Sequence, residues 1–430
     1  MADIEKAGTP PPPVPAASDH GAQRDAPANA PEPRKEGSLV AWAQVLGAFC
    51  VYLNTWGMLN SFGVFETYYE LDALSSQSNF AIGWIGSTQG ALFFIASLVV
   101  GPLFDLGYFR SLLWLGTTLL VVGMFLLSVS HQFYQVLLTQ SVLFGLGAGC
   151  VFLPAPAVVA QHFDAQLGLA ISLASVGSAV GGLIYPAIFT RLLATVGFGW
   201  ATRSIAFVVL GTSLFILLMK SKTKPAPSRS LIDWKAFIDL PYMLLNLGLV
   251  LGFMGLYVIT TYLQLFALAR TDVSTDLADN LLIILNAGSL IGRVVLGYYA
   301  DMIGSIAMQT AVVLVATVLS FSLLAVHSAA GLVVITVFFG VASGTFLGLP
   351  VASIVRLSDD PGKIGTRIGM TLLFVGIGAL IDYPIAGAIV SDSHNWASPV
   401  VYSGVLLAVS TVVLVLCRIT KLGTKWTTPL

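Results

Sequence analysis

The sequence predicts an all-α membrane protein of twelve transmembrane helices, arranged as two six-helix repeats. Composition is the first reason: 56% of the 430 residues are hydrophobic and 10% are charged, against about 25% charged in a soluble domain. The second is a succession of apolar segments, each long enough to cross a hydrocarbon core of about 30 Å at about 1.5 Å per helical residue. Repetition is the third. Phe144-Gly145, with Gly149 and Pro154, returns as Phe339-Gly340 with Gly344 and Pro350, the Phe-Gly pair offset by 195 residues. Gly101 and Asp105 return as Gly297 and Asp301, offset 196, and Tyr185-Pro186 as Tyr383-Pro384, offset 198. Three agreeing offsets in one order indicate tandem halves.

Residues 1–38 are a different material. Eight of the twenty prolines lie there with Ala, Ser and both signs of charge, so the stretch cannot bury a core and is expected to be a disordered cytosolic tail. It has no apolar h-region of a cleavable signal, which leaves the first helix to direct insertion. Twelve segments follow, near 39–65, 80–104, 111–130, 134–160, 166–190, 199–219, 241–268, 278–300, 306–327, 331–356, 364–390 and 396–418. The expected organisation is an N-terminal half over 39–219, a linker over 220–240, a C-terminal half over 241–418 and a C-terminal tail over 419–430. With both ends cytosolic, sixteen of the twenty Lys and Arg fall on the cytosolic side, including Lys220, Lys222, Lys224, Arg229 and Lys235 of the linker. The positive-inside rule and the even number of crossings agree on that orientation.

Segments four and five form a hairpin with a polar hinge at Gln161–Gln166. Gly145, Gly147 and Gly149 before the hinge, and Gly177, Gly181 and Gly182 after it, leave faces on which backbones can approach closely. Pro154, Pro156 and Pro186 remove backbone donors, which membrane helices accept beside protein neighbours or a wet cavity.

Two parallel six-helix halves joined by a basic linker resemble the major facilitator superfamily. Gly101-Pro-Leu-Phe-Asp105-Leu-Gly107-Tyr-Phe-Arg110 resembles that family's loop motif between helices 2 and 3, and Gly297, Asp301 and Gly304 its second copy. The resemblance implies a gate: small residues permit tight helix contact, and the carboxylate caps a neighbouring helix or pairs with a cation. Glu36-Gly-Ser-Leu-Val-Ala-Trp42, Asn60-Ser-Phe-Gly-Val-Phe65, Gly197-Phe-Gly-Trp-Ala-Thr-Arg203 and Asn286-Ala-Gly-Ser-Leu-Ile-Gly-Arg293 are similar to the fungal branch of the monocarboxylate-transporter family, which includes riboflavin-transporter-like members. The chain departs from the animal proton–monocarboxylate carriers at two positions: Asn60 stands where they have a helix 1 lysine, and Ser289 where they have a helix 8 aspartate.

Two charged residues lie deep within segments, Arg293 and Asp382. An intramembrane charge without a cavity or partner is costly, so each is a functional candidate. Arg293 matches the family's anion-binding arginine, and its planar fork suits a carboxylate; a snorkelling or carbonyl-capping arginine is the alternative. Asp382 is the candidate proton-coupling group, with Pro384 beside it to let the helix bend, and a structural hydrogen-bonded carboxyl as the alternative. Asn54, Asn60, Gln140, Tyr257 and Asn286 are uncharged candidates for substrate contact, each also able to serve as a bond between helices. Trp56, Phe93 and Tyr383 could stack a flat ring.

Net charge is −1 and no basic face is evident, which argues against nucleic acid. Cys50, Cys150 and Cys417 show no pair spacing, and the histidines are too isolated for a metal. No nucleophile with its base is visible, so the reading is a transporter and no enzyme, with no cofactor. Its partners are the lipid bilayer, a small organic solute and, if coupled, protons. The resemblance implies a monocarboxylate-like or other organic metabolite moved by alternating access across the plasma membrane or a vacuolar or other endomembrane. A nutrient sensor of the same fold is the alternative.

Overall fold

The computed structural model describes residues 37–222, 232–271, 273–358, 360, 363–392 and 397–422. Nearly all of the expected tail, Lys224 and Arg229 of the linker, and the side chains of Tyr383 and Pro384 lie outside the described residues. Among those described, eleven helices are long and apolar enough to cross a membrane. In chain order they are α1 (Leu39–Tyr68), α2 (Ala81–Asp105), α3 (Phe109–Leu127), α4 (Phe133–His162), α5 (Leu167–Leu217), α6 (Leu240–Gln264), α7 (Asn280–Ile303), α8 (Ser305–Ala325), α9 (Ala329–Leu357), α10 (Ile364–Asp382) and α11 (Ala397–Lys421).

The difference between eleven helices and the twelve expected segments lies in α5. Its 51 residues would reach about 77 Å if straight, more than two hydrocarbon cores. Gly197 interrupts it with φ 77° and ψ 173°, a conformation that side chains other than hydrogen disfavour. The two pieces then fold back on each other. Tyr185 and Thr212, one on each piece, both hydrogen-bond the side chain of Asn54, at 2.7 and 3.0 Å. On a straight helix they would stand about 40 Å apart. The expected gap between segments five and six is thus a one-residue turn.

Local chemistry sets the starts of the helices. Ser38, Ser78, Ser274 and Ser328 each accept a backbone N–H three residues on, as does Asp239 before α6. Such caps satisfy one of the orphan donors of a helix N-terminus. Within α4, a π-helical stretch at Leu137–Leu143 and a restart at Pro154–His162 divide the span. Proline at the first position of a helix loses no bond, so the restart follows from Pro154.

Glycines bring the helices together, and they do so in the same way at two places along the chain. Gly145 and Gly149 of α4 lie against the backbone of Gln89 and Phe93 on α2, while Gly340 and Gly344 of α9 lie against Leu285 and Ser289 on α7. These pairs keep the offset seen among the repeated motifs of the sequence. Gly177 and Gly181 seat α5 on Phe49 and Leu53 of α1, where an added Cβ would collide with backbone oxygens. With lipid on the outside, such close van der Waals packing supplies the association that hydrophobic burial supplies in water.

Candidate functional site

Contacts between the halves gather at the end where the linker lies. There α2 crosses α10: Gly101 packs on the carbonyl of Gly365, Gly369 on that of Ser97, and Gly376 on Phe94. Asp105, 2% exposed, turns its carboxylate onto the start of α10. It accepts from Gly365 N at 3.2 Å, Thr366 N at 2.8 Å and Thr366 Oγ1 at 2.8 Å. Asp301 does the same in the other direction, accepting from Gly168 N at 2.6 Å and Leu169 N at 2.9 Å at the start of α5. Gly297, one turn away on α7, packs against Ser172 of α5. Each carboxylate therefore meets the positive end of the dipole of a helix distant in the chain.

Charged side chains complete this end. Arg356 of α9 reaches Asp164 in the hinge between α4 and α5, at 3.0 Å from Oδ1, and also donates to its carbonyl. Arg110 stays within its own half and donates to the carbonyl of Leu217 at 2.6 Å, capping the C-terminus of α5. In the linker, Asp233 is buried and accepts from Lys363 at 3.1 Å and Arg367 at 3.4 Å. This holds the start of α10 to the segment that precedes α6.

Arg293 lies about 12 Å of helix inside Asp301. It is 5% exposed, and it crosses to α5, where Nη1 donates to the carbonyl of Ser175 and to Ser178 Oγ. Its Nε is buried with no hydrogen-bond partner. Tyr52 of α1 and Tyr257 of α6 are the groups within electrostatic range. Among the ion pairs of the described residues, none involves Arg293. The guanidinium is a buried cation faced by neutral oxygens.

Tyr52 and Tyr257 each belong to a cluster of aromatic rings. Tyr52 meets Phe152 edge-on at 5.1 Å, and Phe152, Phe93 and Phe94 surround Trp56. Tyr257 stacks on Phe253 at 6.3 Å, and Phe253 meets Phe346 at 5.7 Å. Trp56, Phe94, Phe253 and Tyr257 are partly exposed.

The remaining candidates are dispersed. Asn54 is fully buried inside the N-terminal half, with its amide shared between Tyr185 and Thr212. Gln140 is buried in the π-helical stretch of α4 and accepts from Tyr69 at 2.6 Å. Asn286 donates to Leu282 O of its own helix. Asn60 is exposed on α1 beside Gly182. Asp382, 3% exposed, accepts from Tyr402 of α11 at 3.2 Å, with Tyr262 of α6 in electrostatic range. The structure brings Tyr257 to Arg293 and gives Asp382 different partners. Sequence reasoning missed Tyr52, Ser175, Ser178 and Asp233. The serines carried a usable signal: Ser172, Ser175 and Ser178 recur every third residue and so share one helix face. Among the described residues, no group of three His, Cys, Asp or Glu stands close enough to hold a metal.

A bundle of long apolar helices with a buried cation inside it fits a membrane transporter. The chain belongs to the Major Facilitator Superfamily, whose model matches residues 44–335. It is 44% identical over 372 residues to the MFS-type transporter dbaD of Emericella nidulans, covering 86% of this chain and 84% of that one. It is 35% identical over 389 residues to the fujikurins efflux protein of Gibberella fujikuroi, covering 88% and 82%. In structure it resembles FucP, a Major Facilitator Superfamily transporter crystallised in the outward conformation, with a TM-score of 0.72, 16% identity, and 88% and 99% of the two chains covered.

Proposed function

We propose that this protein exports an organic anion with a flat, conjugated body, by alternating access between its two halves. The observation that carries the reading is Arg293, a buried cation faced by neutral oxygens, with Tyr52 and Tyr257 of two aromatic clusters in electrostatic range. An incoming carboxylate offers the bidentate acceptor that the guanidinium lacks. The name of the fujikurins efflux protein supports export as the direction. A place in the monocarboxylate-transporter-like branch, part of this proposal, would fit the same anionic group, on a larger body than a simple monocarboxylate.

In this reading the chain makes twelve crossings in two six-helix repeats, with the pieces of α5 as crossings five and six. The linker end is cytosolic, as the Lys and Arg distribution favours, so the contacts that close it describe an outward-facing state. Gly101, Asp105, Arg110, Gly297 and Asp301 form its gate. Arg293 and Tyr257 hold the substrate, with Asn60 at the periphery, while Asn54, Gln140 and Asn286 brace the helices. Asp382 is the proton-coupling group.

The test is efflux of 2-naphthoate, a fluorescent aromatic carboxylate, from proteoliposomes containing the full chain. Wild type should accelerate its release over protein-free vesicles, and 2-naphthamide, its neutral analogue, should show no acceleration. Arg293→Lys keeps the charge but loses the fork, so affinity should fall while folding holds. Unchanged 2-naphthoate affinity in Arg293→Gln would refute the anion reading.

A further inference from the structure

We infer that the serine ladder of α5 is an internal competitor for the substrate's anionic group at Arg293, so that an anion is held less tightly while the linker end is closed than while it is open, the order of affinities that export needs. The inference rests on the anion reading above and goes beyond it by assigning Ser175 and Ser178 as positioning residues.

The geometry is that of a docked cation. Ser172, Ser175 and Ser178 are all buried on the face of α5 that meets the opposite half. Ser178 Oγ donates to Ser175 O at 2.9 Å and Ser175 Oγ to Ser172 O at 2.7 Å, so the hydroxyls are oriented before the arginine arrives. Nη1 of Arg293 then bonds both Ser175 O and Ser178 Oγ, across the interface. The surroundings are shaped for this contact. Gly297 of α7 and Gly348 of α9 lie against Ser172, and a side chain at Gly348 would meet Ser172 Oγ, Ser175 Oγ and Arg293 Cγ.

The same geometry leaves the dock incomplete. Arg293 Nε and Ser172 Oγ are buried without hydrogen-bond partners. Hydrogen bonds to neutral oxygens offset only part of the cost of burying a guanidinium, whereas a carboxylate supplies opposite charge and two parallel acceptors. An anion entering between the halves therefore draws the guanidinium away from α5. Because Ser175 and Ser178 belong to one half and Arg293 to the other, this removes a tie that exists only while the linker end is closed. A ligand shifts such an equilibrium only through its different affinity for the two states, and exchange of partners at Arg293 provides that difference.

The test uses the full chain in nanodiscs with spin labels introduced at Tyr108 and Met302, exposed on opposite halves at the linker end. The three native cysteines are buried, so labelling is selective. Pulsed dipolar spectroscopy reads the inter-label distance, and fluorescence titration reads 2-naphthoate binding. In wild type, 2-naphthoate should lengthen the distance and 2-naphthamide should not. Ser178→Ala should show a longer-distance population without any ligand. It should also bind 2-naphthoate about fivefold tighter, the factor expected for one ordinary hydrogen bond. Ser178→Thr, which keeps the hydroxyl, should return both readouts to wild type. Wild-type distances and wild-type affinity in Ser178→Ala would overturn the inference. Binding that is lost in Arg293→Gln yet unchanged in Ser178→Ala keeps the anion reading and overturns the competition. Binding unchanged in Arg293→Gln overturns both.

Discussion

Replacing Asp105 by asparagine should open the linker end. The carboxylate is buried and accepts three hydrogen bonds from the start of α10, two of them from backbone N–H groups that no helix carbonyl can satisfy. Asparagine keeps one acceptor oxygen but turns an NH2 towards donors and removes the charge that faces the helix dipole. A charge at a partly buried helix N-terminus is worth up to about 2 kcal/mol. A hydrogen bond to a charged group adds about 1.5–3 kcal/mol. Relief of the carboxylate's desolvation opposes both, which leaves a net loss of about 2–3 kcal/mol from the closed state alone. That corresponds to a shift of about 30- to 150-fold in the ratio of closed to open molecules. The Tyr108–Met302 label pair should show a population at longer distance in Asp105→Asn. Asp301→Asn should move it in the same direction by less, since Asp301 is less buried. Distances identical to wild type in Asp105→Asn would mean that the glycine crossing of α2 and α10 closes this end without the cap.

Other perturbations address the helix braces and the second buried charge. Asn54→Ala deprives the buried Tyr185 hydroxyl of its acceptor, a loss of about 1–3 kcal/mol. Its melting temperature should fall, and adding Tyr185→Phe should recover part of the loss, a coupling that independent sites would not show. Gly181→Val places a Cβ 2.6 Å from Leu53 O and should abolish folded yield in size-exclusion chromatography. Gly211→Val, which meets nothing within 4 Å, should leave that yield intact. Asp382→Asn should remove any dependence of 2-naphthoate efflux on external pH; a dependence that survives in this variant takes Asp382 out of coupling.

Much of the bundle was legible because membrane helices declare themselves by length and composition. The polar hinge at Gln161–Gln166 falls where α4 ends and α5 begins, and the glycines at 145 and 149 serve for close approach. The turn at Gly197 was harder. Its neighbours are apolar enough to continue a helix, and only the backbone conformation shows that one residue reverses the chain. The site was legible in its charges and much less in their partners. Arg293 and Asp382 stand out against apolar surroundings in any reading. Which helix each one faces depends on how α5, α6, α7 and α11 pack, and no periodicity within a single segment encodes that. Uncharged candidates illustrate the limit. Asn54 and Asn60 are six residues apart on α1, yet one is fully buried in a hydrogen-bond hub and the other exposed.

Three charges tie the halves by reaching across the α2–α10 and α5–α7 interfaces, and they are not equivalent. Asp105 and Asp301 each meet a helix N-terminus, where partial positive charge and free N–H groups match a carboxylate. That attraction fades within a turn of helix, so a separation of a few ångströms abolishes it, and the end they close has two states with little between them. Arg293 crosses the same α5–α7 interface nearer mid-span, but it meets neutral oxygens. Its surroundings offset its burial less than the helix termini offset that of the two carboxylates, so it has more to gain from a ligand. A substrate that binds there weakens its grip on α5 directly and leaves the two caps intact. The free energy of opening the linker end is then set by Asp105 and Asp301, less the gain of an anion at Arg293 and whatever contacts form as the opposite end closes. An anion that contacts Arg293 but is too small to draw the aromatic groups of Trp56 and Tyr257 together supplies only the first of those two gains. It should bind without being carried.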